Sequence, residues 1–146
     1  MPVRSLGFQE LDTRTAYEVW RLRQDVFVVE QDCPYPDLDG RDHEPGTRHL
    51  LLELDQDGLD RVLTGYLRLL DDGPCLRIGR VLLARAYRGR GLADELMRAA
   101  MIEIGDRPAR LDAQSPLARW YAGYGFAVCG PEFVEDGIPH LPMERP

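Results

Sequence analysis

The stretch Arg88-Gly89-Arg90-Gly91-Leu92-Ala93 lies where a predicted β-strand ends and a predicted α-helix begins. Its two glycines let backbone amides approach a ligand closely, and a helix N-terminus carries unpaired N–H groups and a partial positive charge. With two arginines added, the stretch predicts a cradle for a pyrophosphate group. From spacing alone, a tight turn with solvated arginines is the alternative interpretation.

This stretch matches neither of the two common nucleotide-binding motifs. A Walker loop needs Gly-Lys followed by Ser or Thr, and the chain contains no lysine. The dinucleotide fingerprint needs a third glycine at position 94, where the chain has Asp94, and the preceding strand belongs to a predicted antiparallel meander. A nucleotide-binding protein is therefore disfavoured.

The pattern of apolar residues on both sides of the stretch predicts a mixed sheet with helices packed on it. An amphipathic helix capped by Asp12 extends to about Val28, and strands over 49–55, 61–70 and 75–84 form the meander. The other predicted elements are strands over 3–8, 109–114, 125–130 and 140–145, helices over 92–105 and 115–122, and a long loop over roughly 30–47. This order predicts one α/β (α+β) domain over residues 1–146, with a mixed, mostly antiparallel central sheet flanked by helices.

Composition and charge exclude several classes of protein. The 146 residues suffice for one domain that needs neither a disulfide nor a metal to hold its core. A net charge of -7 disfavours binding to nucleic acid. Because no membrane-spanning stretch or signal peptide is visible, we expect a cytoplasmic protein without a membrane partner. Three cysteines without a CxxC motif and three scattered histidines predict no metal site.

Residues 88–93 resemble the cofactor loop of the GNAT superfamily of acetyltransferases. That loop reads Arg or Gln, any two residues, Gly, any residue, and Gly or Ala, and a helix follows it. Arg88, Gly91 and Ala93 match the three defined positions. The predicted order of elements is also similar to the GNAT fold over essentially the whole chain, so the resemblance implies that fold.

Further segments are similar to the same family. Residues 118–126 read Ala-x-Trp-Tyr-x-x-x-Gly-Phe, which looks like the family segment Ala-x-x-Tyr-x-x-x-Gly-Phe. Residues 22–40, 111–126 and 135–143 resemble the ElaA-like branch of the family. Because these segments occur in the family's order, the chain is identified as a member.

The resemblance implies acetyl-CoA as the cosubstrate. The pyrophosphate would meet the amides that follow Arg88, and the pantetheine arm would lie beside the strand over 75–84, where Gly79 marks a bulge. A strand amide there would polarise the thioester carbonyl. The residues implied in cofactor binding are Val81, Leu82, Leu83, Arg88, Gly89, Arg90, Gly91, Leu92, Ala93, Gln114 and Tyr121.

The resemblance also implies Tyr121 as the general acid that protonates the departing thiolate, with Tyr124 as second candidate. From the residues alone, both lie on a helical stripe, and core packing is the alternative. An acceptor amine of the lysine type titrates at about 10.4, so a base must take its proton. The candidates for this base are Glu30, Asp32, Glu53, Glu132 and His140. Glu30 and His140 lead because they lie in the ElaA-like segments.

The long loop and the last strands are rich in carboxylates, among them Asp37, Asp39, Glu135 and Asp136. They predict a cationic amine acceptor, either a small molecule or a peptide. The resemblance implies an N-acetyltransferase that moves an acetyl group from acetyl-CoA to a primary amine by direct attack. The alternative is a CoA-binding sensor or scaffold without turnover. The sequence does not determine the oligomeric state, and it is compatible with a homodimer.

Overall fold

Eight β-strands form one sheet in the computed structural model, which describes residues 3–56 and 59–146. The strands are β1 (Val3–Leu6), β2 (Arg48–Gln56), β3 (Leu59–Asp71), β4 (Leu76–Leu83), β5 (Ala109–Gln114), β6 (Ala127–Val128), β7 (Phe133–Glu135) and β8 (Ile138–Arg145). Their order in the sheet is β1-β2-β3-β4-β5-β8-β6, and β7 also pairs with β8. Among the described strands only β4 and β5 are parallel neighbours, so the predicted fold class is confirmed.

Three α-helices accompany the sheet in the described residues. They are α1 (Thr13–Arg23), α2 (Leu92–Ile104) and α3 (Ala118–Ala122). The carboxylate of Asp12 accepts a hydrogen bond from the backbone N–H of Thr15 at 2.7 Å, which confirms the predicted cap of α1. Beyond α1 the chain continues as a π-helix over Gln24–Glu30 instead of the predicted α-helix to Val28. Such wide turns are frequent at functional sites.

Two apolar clusters lie on opposite faces of the sheet. Residues of α2, including Leu96 and Met97, pack on one face against strands β2 to β5 and β8. On the other face Val19 of α1 packs against Leu51, Tyr66 and Leu82, which belong to β2, β3 and β4. None of the described members of this second cluster lies on β5 or β8. On that part of the sheet, Asp112 and Gln114 of β5 line a cavity instead.

The parallel strands β4 and β5 separate soon after they begin. Their pairing ends with Arg77 opposite Arg110. Just beyond, β4 has one more residue than β3 between Gly79 and Leu82, which is the bulge predicted at Gly79. The left-handed backbone of this bulge is at Arg80, with φ +54°. The separation opens a gap in the sheet beside the bulge.

A hairpin that the sequence analysis missed closes the far side of this gap. β7 and β8 are joined by Asp136 and Gly137, with φ +51° and +77°. Two positive φ values are typical of the type I′ turn, and Asp-Gly is a strong sequence signal for it. The strand predicted over 125–130 shrinks to Ala127–Val128. Among the described helices, none combines the length and apolarity needed to cross a membrane.

Candidate active site

A cavity of about 1040 Å³ occupies the gap between β4 and β5. The π-helix, the loop over 31–39, α3 and the β7–β8 hairpin complete its walls. Tyr121, Glu30 and His140, the three predicted catalytic residues, all line it. The predicted cofactor-binding residues in its wall are Val81, Leu82, Leu83, Arg88, Ala93, Gln114 and Tyr121. The other four predicted cofactor-binding residues are not part of this lining. They lie in the loop before α2 or at its first residue and are Gly89, Arg90, Gly91 and Leu92.

The loop before α2 has the backbone shape of an anion cradle. Gly89 and Gly91 have φ +80° and +72°, a left-handed conformation that residues with a side chain avoid. A Cβ atom on Gly91 would meet no atom within 4 Å, so the protein leaves open space there. The amides of Leu92 and Ala93 begin the helix and have no acceptor in a preceding turn. These groups fit an anionic pyrophosphate.

The edge of β4 that faces the gap offers backbone hydrogen bonds. The N–H of Ala84 donates to the carbonyl of Thr64 on β3. Because successive residues of a strand point to opposite neighbours, the N–H and C=O of Leu83 face the gap. Arg88 Nε indeed donates to the Leu83 carbonyl at 3.1 Å from that side. An extended ligand such as a pantetheine arm fits along this edge.

Arg88 and Glu30, both singled out by sequence, are bound to each other. Arg88 Nη1 donates to Glu30 Oε2 at 2.5 Å, and Nη2 donates to Oε1 at 2.9 Å. This hydrogen bonding from Arg88 lowers the pKa of Glu30. A carboxylate base that works near neutral pH needs a raised pKa, so the geometry does not favour the predicted catalytic role of Glu30.

Tyr121 is a buried member of the cavity wall with 6% of its surface exposed. Its ring packs edge-on against Trp120, with the ring centroids 4.8 Å apart. Burial raises the pKa of Tyr121 to about 12, so its hydroxyl stays protonated at neutral pH. Tyr124, the second candidate acid, does not line the cavity, and its hydroxyl donates to the carboxylate of Asp94. Tyr121 is therefore the better placed proton donor.

His140 lies on β8, directly opposite Gln114 on β5 and Phe133 on β7. Its Nδ1 is 2.8 Å from the carbonyl oxygen of Ile138. Since a carbonyl only accepts, Nδ1 carries the proton in the neutral ring and Nε2 keeps a lone pair. The ring also stacks on Phe133, with centroids 5.6 Å apart and planes at 19°. These contacts orient a side chain that can accept a proton in the cavity.

The other three predicted bases do not line the cavity. Glu53 is bound to Arg4 at 2.5 Å. Glu132 accepts a hydrogen bond from Ser115 Oγ at 2.8 Å. Asp32 is exposed and has a left-handed backbone, with φ +50°. The structure therefore brings only Glu30 and His140 of the five candidates into the cavity wall.

Arginines hold the carboxylates of the loop after the π-helix. The fully buried Arg23 donates to Asp37 at 2.9 Å and to Asp42 at 2.6 Å. Arg68 donates to both carboxylate oxygens of Asp39, at 2.9 and 2.8 Å. Burial raises the pKa of Asp39, but the hydrogen bonds from Arg68 and the charges nearby outweigh burial and lower it well below its usual range.

This buried network changes which carboxylates can attract a cation. By sequence, Asp37 and Asp39 are among them, but each is neutralised by an arginine within hydrogen-bond distance. Glu135 and Asp136 line the cavity at the β7–β8 turn, and neither side chain has an ion-pair partner among the described residues. Of these four carboxylates, the two on the hairpin are therefore the ones that no arginine neutralises among the described residues.

A sheet that opens between β4 and β5, with an anion cradle formed by two glycines and a helix N-terminus beside the opening, is the arrangement expected of an acyl-CoA-dependent N-acyltransferase. Comparison with known proteins agrees. The family model for the acetyltransferase (GNAT) domain matches residues 40–145. The chain belongs to the GNAT acetyltransferase family.

Relatives and solved structures locate the chain within this family. It is 47% identical to UPF0039 protein Rv2851c of Mycobacterium tuberculosis, covering 99% of this chain and 92% of that protein. It is 36% identical to protein ElaA of Escherichia coli, over 97% and 94% of the two chains. The crystal structure of Escherichia coli ElaA superposes with a TM-score of 0.88 over 99% of this chain and 98% of that one. An acyl-CoA N-acyltransferase from Pseudomonas aeruginosa, 36% identical, gives 0.86 over 100% of both chains. The predicted ElaA-like branch is confirmed.

Proposed function

We propose that the protein transfers an acetyl group from acetyl-CoA to a primary amine by direct attack of the amine on the thioester. One observation carries the proposal. The same cavity wall holds Tyr121, whose hydroxyl is protonated at neutral pH, and His140, whose Nε2 is the proton acceptor of the neutral ring. A proton donor and a proton acceptor are the two groups that this reaction needs.

The binding roles follow from the backbone. Gly89, Gly91 and the first amides of α2 would hold the pyrophosphate, and the edge of β4 at residues 81–83 would hold the pantetheine arm. Gln114 lies at the end of β5 across the gap and would contact an amide of that arm. The thioester supplies the activated acetyl group.

The side chains of the cavity then move protons. His140 accepts one proton from the ammonium form of the acceptor, so that a neutral amine can attack the thioester carbonyl. A carbon–nitrogen bond forms while the carbon–sulfur bond breaks, and Tyr121 donates its proton to the departing sulfur. After the attack the nitrogen loses a second proton, which returns to Tyr121 and restores its hydroxyl. In total the nitrogen loses two protons: His140 takes the first, and the second compensates for the proton that Tyr121 gave to the sulfur.

The acceptor would enter between the loop over 31–39 and the β7–β8 hairpin. Glu135 and Asp136 face this entrance as carboxylates without an ion-pair partner among the described residues. They support a cationic acceptor, because unpaired carboxylates raise the local concentration of cations. A small amine and a peptide amine both satisfy this requirement.

The test follows free thiol release from acetyl-CoA while amines, polyamines and peptides are added one at a time. Release that depends on the amine, with the acetylated amine found by mass spectrometry, supports the proposal. A protein that binds acetyl-CoA by calorimetry and releases no thiol with any acceptor class would instead be a CoA-binding sensor or scaffold.

A further inference from the structure

The ion pair between Glu30 and Arg88 joins two segments that are 58 residues apart in the chain. Glu30 ends the π-helix, and Arg88 precedes the first glycine of the cofactor loop. Besides its two bonds to Glu30, the guanidinium of Arg88 donates to the carbonyl of Leu83, the last residue of β4. The pair therefore lies where the anion cradle meets the edge of β4.

A ligand can reach this pair. Arg88 and Glu30 both line the cavity, and their side chains are 37% and 32% exposed. In the proposed binding mode the pyrophosphate takes the cradle that begins at Gly89, and the arm takes the edge that ends at Leu83. A ligand that occupies both must pass beside the guanidinium of Arg88.

Two anions then face one guanidinium. A pyrophosphate brings negative charge to the cradle, and the carboxylate of Glu30 is ionised at neutral pH, as an ordinary glutamate is; the bonds from Arg88 lower its pKa further. The other arginine of the loop, Arg90, lies with its guanidinium carbon 5.4 Å from the centroid of the Tyr87 ring. Charge-assisted bonds from a guanidinium to phosphate and to carboxylate are of similar strength. Neighbouring anions that share one cation repel each other.

We propose that Glu30 competes with the pyrophosphate of acyl-CoA for Arg88 and thereby sets the affinity of the protein for its cosubstrate. Glu30 is then a positioning residue that acts through Arg88. The inference rests on the proposed use of acyl-CoA. On binding, Arg88 exchanges the carboxylate for phosphate oxygens, and Glu30 is released.

The variant Glu30→Gln tests this by isothermal calorimetry with two probes, CoA and pantetheine, which lacks the pyrophosphate. We expect the Kd for CoA to fall about three- to tenfold, because the variant no longer loses a charged pair on binding. Pantetheine binding should not change. The matched control is Glu18→Gln, which removes one carboxylate from an exposed pair with Arg14 on α1 and changes the net charge equally. It should leave both affinities unchanged.

A double-mutant cycle with Arg88→Gln identifies the route. If Glu30 acts through Arg88, adding Glu30→Gln to Arg88→Gln should give no further gain in CoA affinity. A folded Glu30→Gln protein that binds CoA equally or more weakly overturns the inference. So does an equal gain with pantetheine or in the Glu18→Gln control. A wild-type protein that does not bind CoA overturns the proposed function, whereas wild-type binding without a gain in the variant overturns only this inference.

Discussion

Replacing Tyr121 by Phe separates its proposed chemistry from its packing. Phenylalanine keeps the ring that packs edge-on against Trp120 at 4.8 Å. The hydroxyl of Tyr121 makes no hydrogen bond to a protein group among the described residues, so its loss should leave the melting temperature nearly unchanged. The same change removes the proton donor, and general acid catalysis contributes about 10²–10⁴ in rate. We expect kcat to fall by about that factor.

The assay is thiol release at saturating acetyl-CoA and acceptor, with acetyl-CoA affinity measured separately by calorimetry. Affinity should hardly change, because the hydroxyl acts on the departing sulfur. The pH profile gives a second measurement. Burial raises the pKa of Tyr121 to about 12, and the acid works in its protonated form, so its activity is present below that pKa and lost above it. A falling limb near the ordinary tyrosine value of about 10 should therefore be absent.

An unchanged kcat in Tyr121→Phe, with a solvent isotope effect or burst measurement showing that chemistry limits the rate, would refute the acid role. A falling limb near pH 10 in the wild-type protein would contradict the buried environment of the hydroxyl. The variant Tyr124→Phe is the matched control. Its hydroxyl is engaged with Asp94 outside the cavity, and its loss should leave kcat within about twofold of the wild type.

Four further outcomes are expected. Gly91→Glu should abolish acetyl-CoA binding in calorimetry and leave the circular dichroism spectrum unchanged, because the added carboxylate would occupy the open space of the anion cradle and repel the pyrophosphate; retained binding would place the cofactor elsewhere. His140→Gln should lower kcat/KM at neutral pH by about 10²-fold, and activity that stays at the wild-type level would remove it as the base. Arg23→Gln should lower the free energy of unfolding by about 3–5 kcal/mol in urea, because the network of Asp37, Asp39 and Asp42 then keeps only Arg68 and Arg80 and carries an uncompensated negative charge; a change under about 1 kcal/mol would show that water reaches the network. In a salt series, kcat/KM for a dicationic acceptor should fall more steeply than for a monocation, and Glu135→Gln with Asp136→Asn should flatten the slope; equal slopes for neutral and cationic acceptors would refute steering.

The positions of the helices and strands could be predicted from the sequence, because they depend on interactions between residues that are close together in the chain. Asp12 caps α1 through an amide three residues away, and β5 occupies the predicted residues 109–114. The two glycines before α2 report a backbone conformation that other residues avoid, whatever lies around them. The hairpin turn at residues 136–137 carries an equally local signal, Asp-Gly, which is sufficient to predict it.

The partners of the charged side chains depend on the tertiary structure. Glu30 suited a general base by sequence, yet its carboxylate is bound to Arg88, 58 residues away. By sequence, Asp39 was a candidate for attracting a cationic acceptor, yet Arg68 on β3 neutralises its carboxylate. The same residue types in the same order are compatible with either outcome, because an ion pair depends on distances that only strand pairing and helix packing set. Periodicity, caps and glycines determined where the elements and the predicted cofactor loop lie. The folded sheet decided which charges meet, and it placed the two proposed proton carriers, Tyr121 and His140, in one cavity wall.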